Sequence, residues 1–129
     1  VIVTIPPRDV DRYNVLQAAL RGMAAAVTRL MRDSKFRGPM ILVDGNRPIP
    51  SIVWSQRSIV GGDRRVFSIA CASILAKVHR DALMVRSSKR YPDYGFEQHK
   101  GYGTKLHYER LAVHGPTPMH RLTFRLTGR

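Results

Sequence analysis

The stretch MILVDGN, residues 40–46, is the most informative part of the sequence for the fold. Its four leading apolar residues form a short continuous run, which is typical of strands buried inside a sheet. Gly38 and Pro39 break the chain before the run, and Asp44 ends it. We therefore predict a buried strand over 40–43 with an aspartate at its carboxyl end, where ligand sites commonly form in α/β sheets.

The segment before this strand has helical periodicity. Over residues 11–33, apolar side chains recur at alternating steps of four and three, which predicts one amphipathic helix. The stripe consists of Leu16, Leu20, Met23, Val27 and Leu30. Asp9 or Asp11 is the expected cap, and Pro6 and Pro7 are expected to prevent an earlier start.

After the strand, the pattern predicts further mixed structure. Residues 51–60 predict one strand or two short ones, and residues 68–90 a second long helix that stops at Tyr91-Pro92. Thr104 is expected to cap a third helix that runs to about His114. This order of elements predicts an α/β or α+β domain.

Length and charge narrow the classes of function. The 129 residues allow one compact domain, and 22 Lys and Arg against 9 Asp and Glu give a net charge of +13. A polyanionic partner is the natural expectation, although a purely binding, ribosome-associated role fits the same charge. The one cysteine, Cys71, excludes a disulfide framework and a Cys-based zinc site within this sequence. With no membrane-length apolar stretch, we predict a cytoplasmic protein without a membrane partner.

Two aspartates stand in surroundings that call for an explanation. Asp44 follows the predicted strand, and Asp63 follows two glycines and precedes a helix. Each has an ordinary alternative: Asp44 can form a turn with Gly45 and Asn46, and Asp63 can cap the helix. Taken together, they suggest a site for Mg²⁺ or Mn²⁺, which prefer carboxylate oxygens.

The segment 91–104, YPDYGFEQHKGYGT, combines aromatic, glycine and basic residues. Such a loop can pack aromatic faces on sugars or bases while Lys100 and His99 face phosphate. Packing against the last helix is the favoured reading for its first three aromatic residues, Tyr91, Tyr94 and Phe96. For Tyr102, which lies between two glycines, a role in binding is at least as well supported as packing against the last helix.

Five ordered segments resemble ribonuclease HII and cover nearly the whole chain. They are LVDGN at 42–46, GGD at 61–63, SIACASILAKVHRD at 68–81, YPDYGFEQHKGYGT at 91–104, and H-x6-HGPTPMHR from 107 to 121. The resemblance implies a single domain of α/β class with a ribonuclease H-like fold over about 1–90. A C-terminal helical region that contacts the substrate would then occupy about 91–129.

The resemblance also implies roles for individual residues. Asp44 and Asp63 match the last two of the family's four acidic metal ligands, which makes them catalytic residues for a divalent cation, Mn²⁺ or Mg²⁺. Tyr102 matches the tyrosine that packs on the sugar at an RNA–DNA junction. From the chemistry of the loop itself, and not from the resemblance, we expect His99, Lys100 and Gly101 to bind substrate as well. Asp81 matches a helical position that is not a ligand, and we expect it to pair with a nearby base.

The implied activity is endonucleolytic hydrolysis by two metal ions. The substrates would be the RNA strand of RNA–DNA hybrids and ribonucleotides embedded in duplex DNA. The family's DEAGRG-like Asp-Glu segment and its SKK-like segment do not occur in this sequence, so we expect an N-terminally truncated member that is inactive alone. The alternative is a non-catalytic, basic nucleic-acid-binding fragment. No protein partner is inferred.

Overall fold

The computed structural model describes residues 1–32, 40–124 and 126. Two helices come first, α1 (Pro7–Tyr13) and α2 (Val15–Arg32). The prediction of one helix over 11–33 was wrong in this respect. Its last residue and the predicted break at Gly38 and Pro39 lie outside the described residues.

Asn14 separates the two helices and begins the second. Its φ is 65° and its ψ is 166°, a positive-φ extended conformation that is rare for any residue except glycine. Its side-chain Oδ1 accepts a hydrogen bond from Gln17 N at 3.0 Å, which caps α2. Pro7 starts α1 instead of blocking it, because the first helical position needs no backbone N–H.

Two short strands, β1 (Ile41–Asp44) and β2 (Gln56–Ile59), pair in parallel with Ile41 opposite Gln56 and Asp44 opposite Ile59. The connection between them is held by Gln56, whose side chain bonds both the N–H and the carbonyl of buried Ile49 at 2.7 and 2.9 Å. Of the run predicted to be buried, Val43 is buried, Ile41 and Leu42 are half-buried and Met40 is exposed, so this prediction was correct only in part. The predicted strand region at 51–60 is thus a single strand.

A short helix α3 (Gly62–Arg65) follows β2, and the long helix α4 (Phe67–Arg90) comes next. A 3₁₀ turn over Pro92–Tyr94 and a short helix α5 (Phe96–His99) lie in the segment predicted as a loop. The last helix, α6 (Lys105–His114), begins at the predicted cap: Thr104 Oγ1 accepts from His107 N at 3.3 Å. Gly115 ends it with a φ of 72°.

The chain divides into two compact units, residues 1–74 and 75–129, with the division inside α4. Buried apolar residues of the first unit are Ala18, Leu20, Val43, Ile49 and Ile69. The second unit is built around Met84, Tyr94, Phe96 and Leu111, with Tyr91 and Tyr108 packed against them. The described part is therefore a helix-rich α/β arrangement with a small parallel sheet, and the single-domain boundaries proposed above stay a prediction.

Several helical apolar residues face solvent. In α4, Phe67, Ile74, Leu75 and Val78 are each at least 60% exposed. Of the stripe predicted for α2, Leu20 is buried, while Leu16, Met23 and Leu30 are exposed. The periodicity correctly predicted helices in these segments. The described residues, however, bury only part of the apolar faces that the periodicity predicts.

Candidate functional site

The first candidate site lies where β1 ends and α3 begins. Asp44 is the last residue of β1, and its Oδ1 accepts a hydrogen bond from the backbone N–H of Gly62 at 2.8 Å. Asp63 is the next residue in the chain and lies in the first turn of α3. The fold therefore places the residue before Asp63 against the Asp44 carboxylate, although 18 positions separate Asp44 from Gly62.

Gly62 allows this close approach. A Cβ at this position would lie 2.7 Å from Cδ1 of Ile69, 3.3 Å from Oδ1 of Asp44 and 3.6 Å from its Cα. Gly61, just before it, adopts a φ of 62° and turns the chain from β2 into α3. The two glycines thus have different tasks: one makes the turn, and the other leaves room for the Asp44 carboxylate.

The carboxylate chemistry fits a hard cation. Asp44 and Asp63 are both exposed, so their oxygens can be reached from solvent. Within the part of the chain that the structure describes, the Asp63 carboxylate has no hydrogen-bond or ion-pair partner, and the Asp44 hydrogen bond occupies one oxygen only. Two such carboxylates suit Mg²⁺ or Mn²⁺, which prefer oxygen ligands and retain water. Across the described residues, no group of three or more His, Cys, Asp and Glu is arranged to hold a metal.

The second candidate site is the turn that carries Tyr102. The tyrosine ring is 55% exposed, and the Arg80 guanidinium carbon lies 5.8 Å from the ring centroid. Arg80 also donates to the Lys100 carbonyl at 3.3 Å. An exposed aromatic face beside a fixed cation can pack on a sugar while the cation attracts phosphate.

The backbone of Tyr102 is fully hydrogen-bonded although its ring faces solvent. Its N–H donates to the His99 carbonyl at 2.8 Å. Its carbonyl accepts from Thr104 N at 2.8 Å and from His107 Nδ1 at 2.9 Å. The backbone that carries the ring is therefore held in place before any ligand binds.

Three further residues were predicted to bind substrate: His99, Lys100 and Gly101. Each lies in a different environment. His99 is only 7% exposed, with Nε2 donating to the Tyr94 carbonyl at 2.8 Å and Nδ1 accepting from Gly101 N at 3.1 Å. This placement does not fit the prediction that His99 faces phosphate, because both ring nitrogens are occupied in the interior. Lys100 Nζ donates to the Glu97 carbonyl.

Gly101 and Gly103 are close to protein atoms. A Cβ on Gly101 would lie 3.0 Å from Met84 Cε, and Gly101 has a φ of 76°. A Cβ on Gly103 would lie 2.7 Å from the Tyr108 hydroxyl. These two contacts show that both glycines let the turn pack closely against neighbouring helices, since Met84 lies in α4 and Tyr108 in α6.

Three histidines that the sequence did not bring together lie under this turn. His99 and His107 stack with ring centroids 4.3 Å apart, and His107 Nε2 lies 3.1 Å from His120 Nε2. Burial lowers the pKa of His107, against the opposing effect of its bond to the Tyr102 carbonyl. Burial and the neighbouring His107 lower the pKa of His120. The spacing of the H-x6-HGPTPMHR segment was the available signal, but it did not indicate contact.

Asp81 has the structural role expected for it. Its Oδ2 pairs with Lys77 Nζ at 2.8 Å, one helical turn earlier in α4. The hydrogen bond and the charge of Asp81 raise the pKa of Lys77. Asp81 therefore belongs to a surface pair of the helix and not to the candidate metal site.

Comparison with known proteins identifies the family of the chain. A family model described as Ribonuclease HII matches residues 2–127. The chain belongs to the ribonuclease HII family. Its ribonuclease HII relatives include that of Chlorobium phaeobacteroides, 46% identical over 125 residues, which are 97% of this chain and 59% of the relative. A ribonuclease HII of Endomicrobium trichonymphae is 50% identical over 115 residues, 89% of this chain and 53% of the relative.

A third ribonuclease HII, from Chlorobaculum tepidum, is 49% identical over 122 residues, 95% of this chain and 58% of the relative. The chain thus spans a little under three-fifths of the length of the curated relatives it matches. Among the described helices, none has the length and apolar character needed to cross a membrane.

Proposed function

We propose that this chain supplies part of a metal-dependent endonuclease that hydrolyses RNA in RNA–DNA hybrids and cuts at ribonucleotides in duplex DNA. The observation that carries the proposal is the hydrogen bond from Gly62 N to Asp44 Oδ1, which joins the end of β1 to the residue that precedes Asp63. Membership of the ribonuclease HII family supports it.

Asp44 and Asp63 would hold a divalent cation, Mn²⁺ or Mg²⁺. When bound, such a cation lowers the pKa of a water ligand and offsets negative charge that develops on a phosphoryl oxygen. The hydrogen bond from Gly62 fixes the direction of the Asp44 carboxylate, so this ligand does not need to be ordered when the cation binds. Two carboxylates are fewer than a two-metal clamp requires, and we propose that this chain alone does not sustain hydrolysis.

Substrate recognition would rest on Tyr102 and the cations near it. The exposed Tyr102 ring packs on a sugar face, and Arg80 and Lys100 attract the phosphates on either side. Gly101 shapes the turn from which the ring projects. The net charge of +13 supplies the sequence-independent part of duplex affinity.

The second candidate function is non-catalytic binding of nucleic acid. It is favoured by the finding that the described residues contain no group of three or more metal-ligating side chains. It predicts duplex binding that is independent of divalent metal and insensitive to both aspartates.

Calorimetric titration of the purified chain with Mn²⁺ separates the two candidates. We expect Asp44→Asn and Asp63→Asn each to abolish the binding signal, because a neutral amide replaces an anionic ligand. Asp93→Asn is the matched control, since Asp93 is another exposed aspartate and lies outside this site. Mn²⁺ binding that survives in both variants, or is absent from the unmodified chain, would favour the binding-only function.

A further inference from the structure

The hydrogen atoms of the three buried imidazoles can be assigned from their partners. Gly101 N–H can only donate, so His99 Nδ1 is an acceptor and Nε2 carries the hydrogen that bonds the Tyr94 carbonyl. The Tyr102 carbonyl can only accept, so His107 Nδ1 carries a hydrogen. Thr117 N–H donates to His120 Nδ1 at 2.9 Å, which leaves His120 Nε2–H to donate to His107 Nε2.

These assignments give a continuous series of hydrogen bonds that all point in the same direction. It begins at the Thr117 N–H, passes through His120 and His107, and ends at the Tyr102 carbonyl. His99 closes the turn from its other end by accepting from Gly101 N. Each of the six ring nitrogens therefore has a partner when all three imidazoles are neutral.

The surroundings of the three rings favour the neutral form. His99, His107 and His120 are each no more than 8% exposed. The Phe96 ring lies against all three, and Tyr94 and Tyr108 are the other titratable groups in ring contact with them. Buried polar groups with complete hydrogen bonding stabilise one arrangement over its alternatives.

We infer that His107, supported by His120 and Thr117, is a positioning residue that holds the Tyr102 turn in the arrangement that presents the tyrosine ring to a nucleic-acid ligand. The inference rests on the proposed function only for the identity of that ligand. The ordering of the turn by His107 is a separate claim about this chain.

Two substitutions of His107 separate its two hydrogen bonds. An asparagine amide nitrogen reaches the place of Nδ1, so His107→Asn retains a donor to the Tyr102 carbonyl. A glutamine amide reaches the place of Nε2, so His107→Gln retains the contact with His120 and loses the donor to Tyr102. His114→Asn, in the last turn of the same helix, is the control.

The primary measurement is amide hydrogen exchange at Gly101 and Tyr102 by NMR in the full chain. We expect His107→Gln to speed exchange about fivefold or more relative to His107→Asn, because one hydrogen bond to the turn is lost. His114→Asn should match the unmodified chain. Equal exchange in His107→Asn and His107→Gln would overturn the positioning role.

A measurement on the unmodified chain guards against variants that fail to fold. Long-range ¹H–¹⁵N spectra report which ring nitrogen carries the hydrogen, and we expect Nδ1–H for His107 and Nε2–H for His99 and His120. An Nε2–H tautomer of His107 would contradict the inference, because the Tyr102 carbonyl would then have no imidazole donor.

Binding to a duplex that contains an RNA–DNA junction distinguishes this inference from the proposed function. We expect His107→Gln to weaken binding as Tyr102→Ala does, and His107→Asn to retain it. If hydrogen exchange responds as expected but neither Tyr102→Ala nor His107→Gln alters binding, the positioning role stands and the proposed ligand is wrong.

Discussion

The backbone N–H of Gly62 donates to Asp44 Oδ1 at 2.8 Å and ties the end of β1 to the start of α3. The bond depends on the missing side chain at Gly62, because a Cβ there would crowd both Asp44 and buried Ile69. The geometry of the candidate metal site therefore depends on the absence of a Cβ at position 62.

Gly62→Ala should disturb the site through this crowding. A Cβ 2.7 Å from Ile69 Cδ1 forces a shift in a buried side chain, and we expect the free energy of unfolding to fall by about 1–2 kcal/mol. Mn²⁺ affinity should fall with it, because the Asp44 carboxylate is pushed from its place. Urea denaturation and calorimetry measure the two effects.

The control for this prediction is Gly61→Asn. Gly61 also has a special backbone conformation, but nothing lies within 4 Å of its Cβ position, and asparagine tolerates a φ of 62°. We expect Gly61→Asn to leave Mn²⁺ affinity nearly unchanged. Loss of affinity in Gly61→Asn but not in Gly62→Ala would argue against the crowding explanation.

Stability should depend on the protonation of the buried histidines. The pKa values of His107 and His120 are lowered in the folded chain, mainly by burial, whereas the unfolded chain titrates near the ordinary value of about 6.5. Below that value the unfolded state binds more protons, so folding stability is complete above about pH 6.5 and falls as the pH drops toward the folded pKa values. His99, Tyr94 and Tyr108 are the titratable groups packed against the pair.

Urea midpoints at a series of pH values between about 7.5 and 5 check this dependence. We expect His107→Asn to flatten the slope, because one of the two groups with a lowered pKa is removed. His114→Asn should keep the slope of the unmodified chain. A midpoint that does not change with pH in this window would show that protonation of the pair is not linked to folding.

Much of the helical architecture could be predicted because its signals are local. Thr104 and Gly115 mark the ends of α6, and Tyr91-Pro92 marks the end of α4. The break at Asn14 was missed because the apolar spacing gives no sign of it, and only the positive φ of Asn14 and its cap reveal two helices.

The two candidate sites differ in how far the sequence could predict them. Asp44 and Asp63 were identified from their positions after a strand and after two glycines, and the hydrogen bond at Gly62 supplies the contact that spacing alone could not give. The roles of His107 and His120 could not be predicted, because they depend on ring contacts between residues 13 positions apart. Conversely, His99 resembled a surface residue in sequence and is buried.

The exposed apolar face of α4 predicts self-association. Leu75 and Val78 are each 60% exposed and Ile74 63%, a larger apolar surface than an isolated helix face normally leaves in water. We expect the isolated chain to form oligomers through this face. Light scattering after size exclusion should show this, and Leu75→Gln with Val78→Gln should reduce it. A chain that stays monomeric across the concentrations measured would contradict the prediction.

Tyr102→Ala should lower binding to a junction-containing duplex without changing its salt dependence. The ring contributes stacking on a sugar, while the salt dependence arises from contacts between basic residues and phosphates. Fluorescence titrations at several salt concentrations give both the affinity and the slope. Arg80→Ala is the complementary variant, and it should reduce the slope as well as the affinity. An unchanged affinity for Tyr102→Ala would leave the tyrosine with no part in recognition.

The most direct test of the central claim is cleavage of an RNA–DNA hybrid by a chimera that joins this chain to the unmatched part of the Chlorobium phaeobacteroides relative. We expect Mn²⁺-dependent cleavage by the chimera and by its Asp93→Asn control, and none above background by the isolated chain. Asp44→Asn and Asp63→Asn should each lower the rate about a hundredfold or more, since each removes a charged ligand from the clamp, while duplex affinity changes little. Cleavage by either variant at a rate close to that of the unmodified chimera would contradict the assignment of these two aspartates as metal ligands.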